Sequence, residues 1–249
     1  MRRFAALALC LSALPPAARG QGKFPPDSFT NLKVLPKNID QRTLINTMRG
    51  FSLALGVRCT YCHVGREGAP LDSINFAKDD KRPKRAARAM LHTVHHINEE
   101  HLKDVPDRPE PHVVVGCATC HRGVARPRLL DDTLGLVLAD SGSDAAARRY
   151  RELRARYYGT GSYDFGERVL TELARAEAGA GRTDNALALL GLNAEYNPTS
   201  AGIALAQGDV YRQRGDTAAA LASYRTALAR DSTLAIARRR LTELTAPRR

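Results

Sequence analysis

DQRTLINTMRGFSLALGVRCTYCH, residues 40–63, decides how this chain folds. Asp40 is a residue type that caps helix N-termini. After it Leu44, Met48, Phe51 and Leu55 recur every three or four positions, the period of one helical face. Gly56 is placed to stop that helix. Beyond it stand Cys59-Thr60-Tyr61-Cys62-His63, two thiols three positions apart and an imidazole directly after them. The same plan returns downstream. A second helix is expected from near Pro83, which suits a first turn, to about Lys103. Its apolar face carries Ala87, Met90, Val94, Ile97 and His101, and Pro106, Pro109 and Pro111 end it. Val113 to Gly116 then lead into Cys117-Ala118-Thr119-Cys120-His121. Residues 21–38 read as an extended lead-in and 64–80 as a loop.

Cys-x-x-Cys-His is the attachment signature of c-type haem. The two thiols can add to the two vinyl groups on one porphyrin edge, and the adjacent imidazole then falls under the iron. The pattern therefore calls for two covalently bound haem c groups, on Cys59, Cys62 and His63 and on Cys117, Cys120 and His121. Competing uses fit less well. The two pairs lie too far apart for a zinc knuckle. No βαβ context supports a thioredoxin-like redox pair, and disulfides do not account for a His after both pairs.

Each iron needs a sixth ligand or stays open for reaction. Beyond Met1 the chain has two methionines, Met48 and Met90, each on the apolar stripe of a helix upstream of a motif. A thioether there would give His/Met coordination and raise the reduction potential. A Met on such a stripe is also ordinary core filler. For the second iron His95 or His101 could replace Met90, and His112 is a further candidate.

Of 249 residues 43% are hydrophobic and 6% aromatic, with no Trp, so a core must come from aliphatics or from something that is not protein. Arg2 and Arg3, the apolar Phe4 to Leu14 and Ala18-Arg19-Gly20 read as a signal peptide over residues 1–20, which also takes in the fifth cysteine, Cys10. This implies a periplasmic protein, free or membrane-associated, and no apolar run is long enough to span a membrane. The net charge is +12. Lys78, Lys81, Arg82, Lys84, Arg85 and Arg88 could steer docking to an acidic redox partner or an anionic membrane surface, or serve as a solvated face or as haem propionate partners. Nucleic acid is not an expected partner of an exported haem protein.

The expected class is all-α. Residues 21–130 form a small dihaem domain, 131–142 a linker, and 143–249 an Ala- and Arg-rich helical domain. The last carries a repeat of 34 residues: Ala174, Gly181, Ala186 and Leu190 fall in register with Gly208, Gly215, Ala220 and Tyr224 at tetratricopeptide-like offsets. Such repeats stack into a groove that can hold a protein partner.

Met48-x-x-Phe51…Leu55-Gly56-Val57-x-Cys59-Thr60-x-Cys62-His63 resembles the multihaem cytochrome c subunit of photosynthetic reaction centres. So do Lys84-x-x-Ala87-Arg88-x-Met90…Ile97-Asn98 and Cys117-x-Thr119-Cys120-His121-x-Gly123. The likeness covers roughly residues 30–128. It implies repeated helix, turn and haem segments with the helix Met as sixth ligand, hence Met48 with His63 and Met90 with His121. The chain departs from that family in having two motifs instead of the usual four and in adding helical repeats. The reading is an electron carrier, not an enzyme, whose partners are redox proteins, a membrane-bound photosynthetic or respiratory complex among them. A dihaem peroxidase, or a haem-containing scaffold or sensor, is the alternative.

Overall fold

A computed structural model describes residues 23–246. The signal-peptide reading and Cys10 lie outside the described residues. Among those described there is no strand, only one isolated antiparallel bridge between Val64 and Asn75, so the expected all-α class holds. The chain divides into two compact units between Cys117 and Ala118.

The first unit is built on two helices. α1 spans Gln41–Leu55. Asp40 caps it, its carboxylate accepting the Thr43 N–H at 2.9 Å. Gly56 ends it at φ 63°, a left-handed position that favours glycine, and Val57 N–H closes the turn on Ser52 O. The Cys59–Cys62 turn is α2. α3 spans Arg82–His96 with Pro83 in its first turn, and continues as a π-turn over Ile97–Leu102. α2 packs against α3. Among its described residues the unit buries three apolar side chains: Leu44, Ala54 and Ile74.

The second unit is core-rich by contrast. α4, Cys117–His121, straddles the division. α5, Leu130–Tyr157, consists of two helical segments that meet at Gly142, whose φ is 81°. Residues 131–142, expected as a linker, are thus helix. Leu130, Leu134 and Leu138 recur every four residues and are buried, so packing overrides the Gly- and Ser-rich composition.

Beyond α5 come α6 Glu167–Gly179, α7 Thr183–Tyr196, α8 Ala201–Arg214 and α9 Thr217–Arg230. The α8–α9 pair repeats the α6–α7 pair at an offset of 34 residues, the register seen in the sequence. α10, Ala235–Thr245, closes the stack against α9. Small residues meet large ones between paired helices. Gly208 on α8 faces the fully buried Tyr224 ring on α9, and the Tyr224 hydroxyl donates to Asp209 at 2.8 Å. In the first pair Ala174 and Leu190 hold the same register, both fully buried.

Candidate functional site

One helical turn sets both thiols of the first motif on one side. Three residues of separation bring side chains onto the same helix face, and Tyr61 N–H to Arg58 O and His63 N–H to Cys59 O, both 2.9 Å, hold that turn. His63 then leaves the helix in extended conformation (φ −109°, ψ 151°). Its ring meets the Phe76 ring edge-on at 4.9 Å. Burial, reinforced by the Lys84 ammonium, pulls the imidazole down to about 4, and the Phe76 backbone opposes this without offsetting it. His63 is therefore neutral at physiological pH, as a metal ligand must be. Burial pushes the Cys62 thiol up.

The loop after the motif is tied back over it. Asn75 N–H bonds Val64 O at 2.7 Å. Lys81 donates to the Thr60 carbonyl inside the motif, and Lys84 donates to the Phe76, Ala77 and Lys78 carbonyls at 2.8–2.9 Å. Much of the basic cluster thus works inside the unit. Asp79 gathers Lys33 (2.8 Å), Lys84 (3.0 Å) and Arg88 (2.8 Å), while Arg85 bonds the Asp79 and Asp80 carbonyls. Lys78 and Arg82 are exposed.

Hydrogen bonds from Arg88, Lys33 and Lys84 hold the Asp79 carboxyl far below the usual carboxylate range. A lowered folded pKa adds stability that is fully present above the unfolded value and is lost as pH falls through the folded one. Asp79→Asn is therefore expected to melt at lower temperature than the parent at pH 7. The gap should narrow as pH drops below 4. Equal melting curves at pH 7 would show that the cluster contributes nothing.

The second motif is held from both sides. Upstream, the Asn98 side chain pairs with the Val115 backbone in both directions, at 2.8 and 2.9 Å, and donates to Val94 O at 3.0 Å. Downstream, His121 Nδ1–H donates to Val124 O at 2.9 Å. A carbonyl can only accept, so Nδ1 carries the proton and the Nε2 lone pair is left for a metal. Sequence reasoning missed Phe76, and it missed Ser162, whose hydroxyl bonds the Arg122 carbonyl. Asn98 falls in the stretch that resembles the cytochrome family, where the sequence alone gives it no role.

Met48 is half-buried on α1, and Met90 on α3 is 49% exposed. His95 and His101 are exposed. Elsewhere His96 bonds Glu100 at 2.6 Å and His112 bonds Glu110 at 2.9 Å.

The residues present fit haem c. All four cysteines of the motifs are free thiols, as thioether formation requires, and are not disulfides. Among the described residues no three His, Cys, Asp or Glu side chains converge to hold a metal ion, so the two cysteine pairs do not assemble a zinc site there. A unit with three buried apolar side chains, and with Leu53, Tyr61, Leu71 and Met90 exposed, has apolar surface to offer two porphyrins.

Residues 15–133 match the family model described as photosynthetic reaction centre cytochrome C subunit. That stretch contains both motifs, Met48 and Met90, and stops before the helical repeats. Cytochrome c-554 of Chloroflexus aurantiacus is 41% identical over 68 residues, 27% of this chain and 14% of that protein. Both likenesses are to c-type cytochromes, proteins with covalently bound haem. No helix among the described residues is long and apolar enough to cross a membrane.

Proposed function

We propose that the chain is an exported dihaem c-type cytochrome that transfers electrons in the periplasm, and that its tetratricopeptide-like repeats bind a partner protein. The observation that carries this reading is the pair of Cys-x-x-Cys-His turns in a chain whose first unit has almost no polypeptide core among its described residues. Haem iron, once bound, supplies the one-electron ferric/ferrous couple.

The chain's own residues do the rest. Cys59 and Cys62, and Cys117 and Cys120, tether the two porphyrins. His63 and His121 are the proximal ligands, His63 kept neutral by burial and His121 oriented by the Val124 carbonyl. Met48 and Met90 are the sixth ligands, with His95 and His101 as alternatives to Met90. α6 to α9, two helix pairs at an offset of 34 residues, supply the surface for a protein partner. The redox partner of the haems belongs to a photosynthetic or respiratory membrane complex.

A redox titration read by absorbance and paramagnetic resonance tests this. Two low-spin transitions, with a Met-to-ferric charge-transfer band, are expected. A high-spin ferric fraction that binds cyanide would instead assign the second iron an open site and a peroxidase role.

A further inference from the structure

The residues after His121 form a turn that few side chains adopt. Arg122 sits at φ 47° and Gly123 at φ 81°, two left-handed residues in succession. A non-glycine residue there persists only when its surroundings hold it. Two bonds close the turn itself: Val124 N–H to His121 O at 2.8 Å, and His121 Nδ1–H to Val124 O at 2.9 Å. A third comes from the loop between α5 and α6. The Ser162 hydroxyl donates to Arg122 O at 2.5 Å. Ser162 is 4% exposed and lies 2.9 Å from the Thr160 hydroxyl. A Cβ on Gly123 would meet Ser162 Oγ at 3.6 Å.

We infer that Ser162 is a positioning residue for His121: through the Arg122 carbonyl it fixes the turn that aims Val124 O at His121 Nδ1. The inference rests on the dihaem reading. The bond on Nδ1 sets the ring orientation and basicity of a ligating imidazole, and with them the properties of the metal. Ser162 lies outside residues 15–133, so the fastening belongs to the added helical unit and not to the cytochrome-like stretch. The first motif is followed by different backbone: His63 continues in extended conformation and its neighbour Val64 pairs with Asn75.

The test uses the full-length holoprotein. His63→Met and His121→Met first assign the two redox transitions. Ser162→Ala is then expected to shift the midpoint and the low-spin resonance of the His121 transition alone, and Ser162→Thr, which keeps the hydroxyl, to restore both. If Ser162→Ala lowers helix content by circular dichroism, Thr160→Val carries the test, with a smaller shift in the same transition. Unmoved transitions, or equal shifts in both, would overturn the inference. A parent protein with one transition or none would overturn the dihaem reading, and this inference with it.

Discussion

Replacing Met48 with alanine is expected to lower the midpoint potential of the first haem by on the order of 0.2 V, within the roughly 0.8 V that axial ligands command, and to turn that haem partly high-spin. The capped ends of α1 fix its register, with Asp40 at one end and left-handed Gly56 at the other. Only Gly56, Val57 and Arg58 separate α1 from α2, so the stripe of Leu44, Met48, Phe51 and Leu55 is delivered close to the first motif. Packing and ligation leave different marks. As a packing residue, a half-buried Met would lose up to about 2 kcal/mol of stability on truncation, toward the low end for buried residues, with the potential unmoved. As a ligand it moves the potential. A lower melting temperature with an unchanged titration curve would reduce Met48 to core filler.

The second large effect lies in the repeats. A Cβ on Gly208 would sit 2.5 Å from Tyr224 Cε1 and 2.6 Å from Cδ1, closer than such atoms ever come. The ring cannot swing away, because it is fully buried and its hydroxyl is held by Asp209. Gly208→Ala gains about 1 kcal/mol in helix propensity and loses about 3 kcal/mol to overpacking. A net loss of about 2 kcal/mol is expected. The first helix pair suggests the remedy, since Ala174 and Leu190 occupy the same register there. Adding Tyr224→Leu to Gly208→Ala should recover most of that loss. Denaturant melts of the single and double variants give the coupling directly. A Gly208→Ala protein as stable as its parent would contradict the packing described.

The capped α1, the Pro83 start of α3, both Cys-x-x-Cys-His turns and the 34-residue repeat were legible because each is a local signal: a cap, a period, a spacing. What escaped was set by tertiary contact. The 131–142 segment has a helical stripe in Leu130, Leu134 and Leu138, but Gly135, Ser141 and Gly142 gave it the composition of a linker. The basic cluster reads as a charged face until Asp79 and a row of carbonyls are folded onto it. Ser162 carries no local mark at all, because its partner Arg122 is forty positions away in sequence.

The proposed electron transfer stands or falls on covalent chemistry: two porphyrins joined through thioethers to Cys59, Cys62, Cys117 and Cys120. Intact mass spectrometry of the denatured protein, expressed in a host competent in cytochrome maturation, reads those bonds without intermediaries. A single species at the polypeptide mass plus two haems is expected. A bare polypeptide mass from a colourless sample would contradict it.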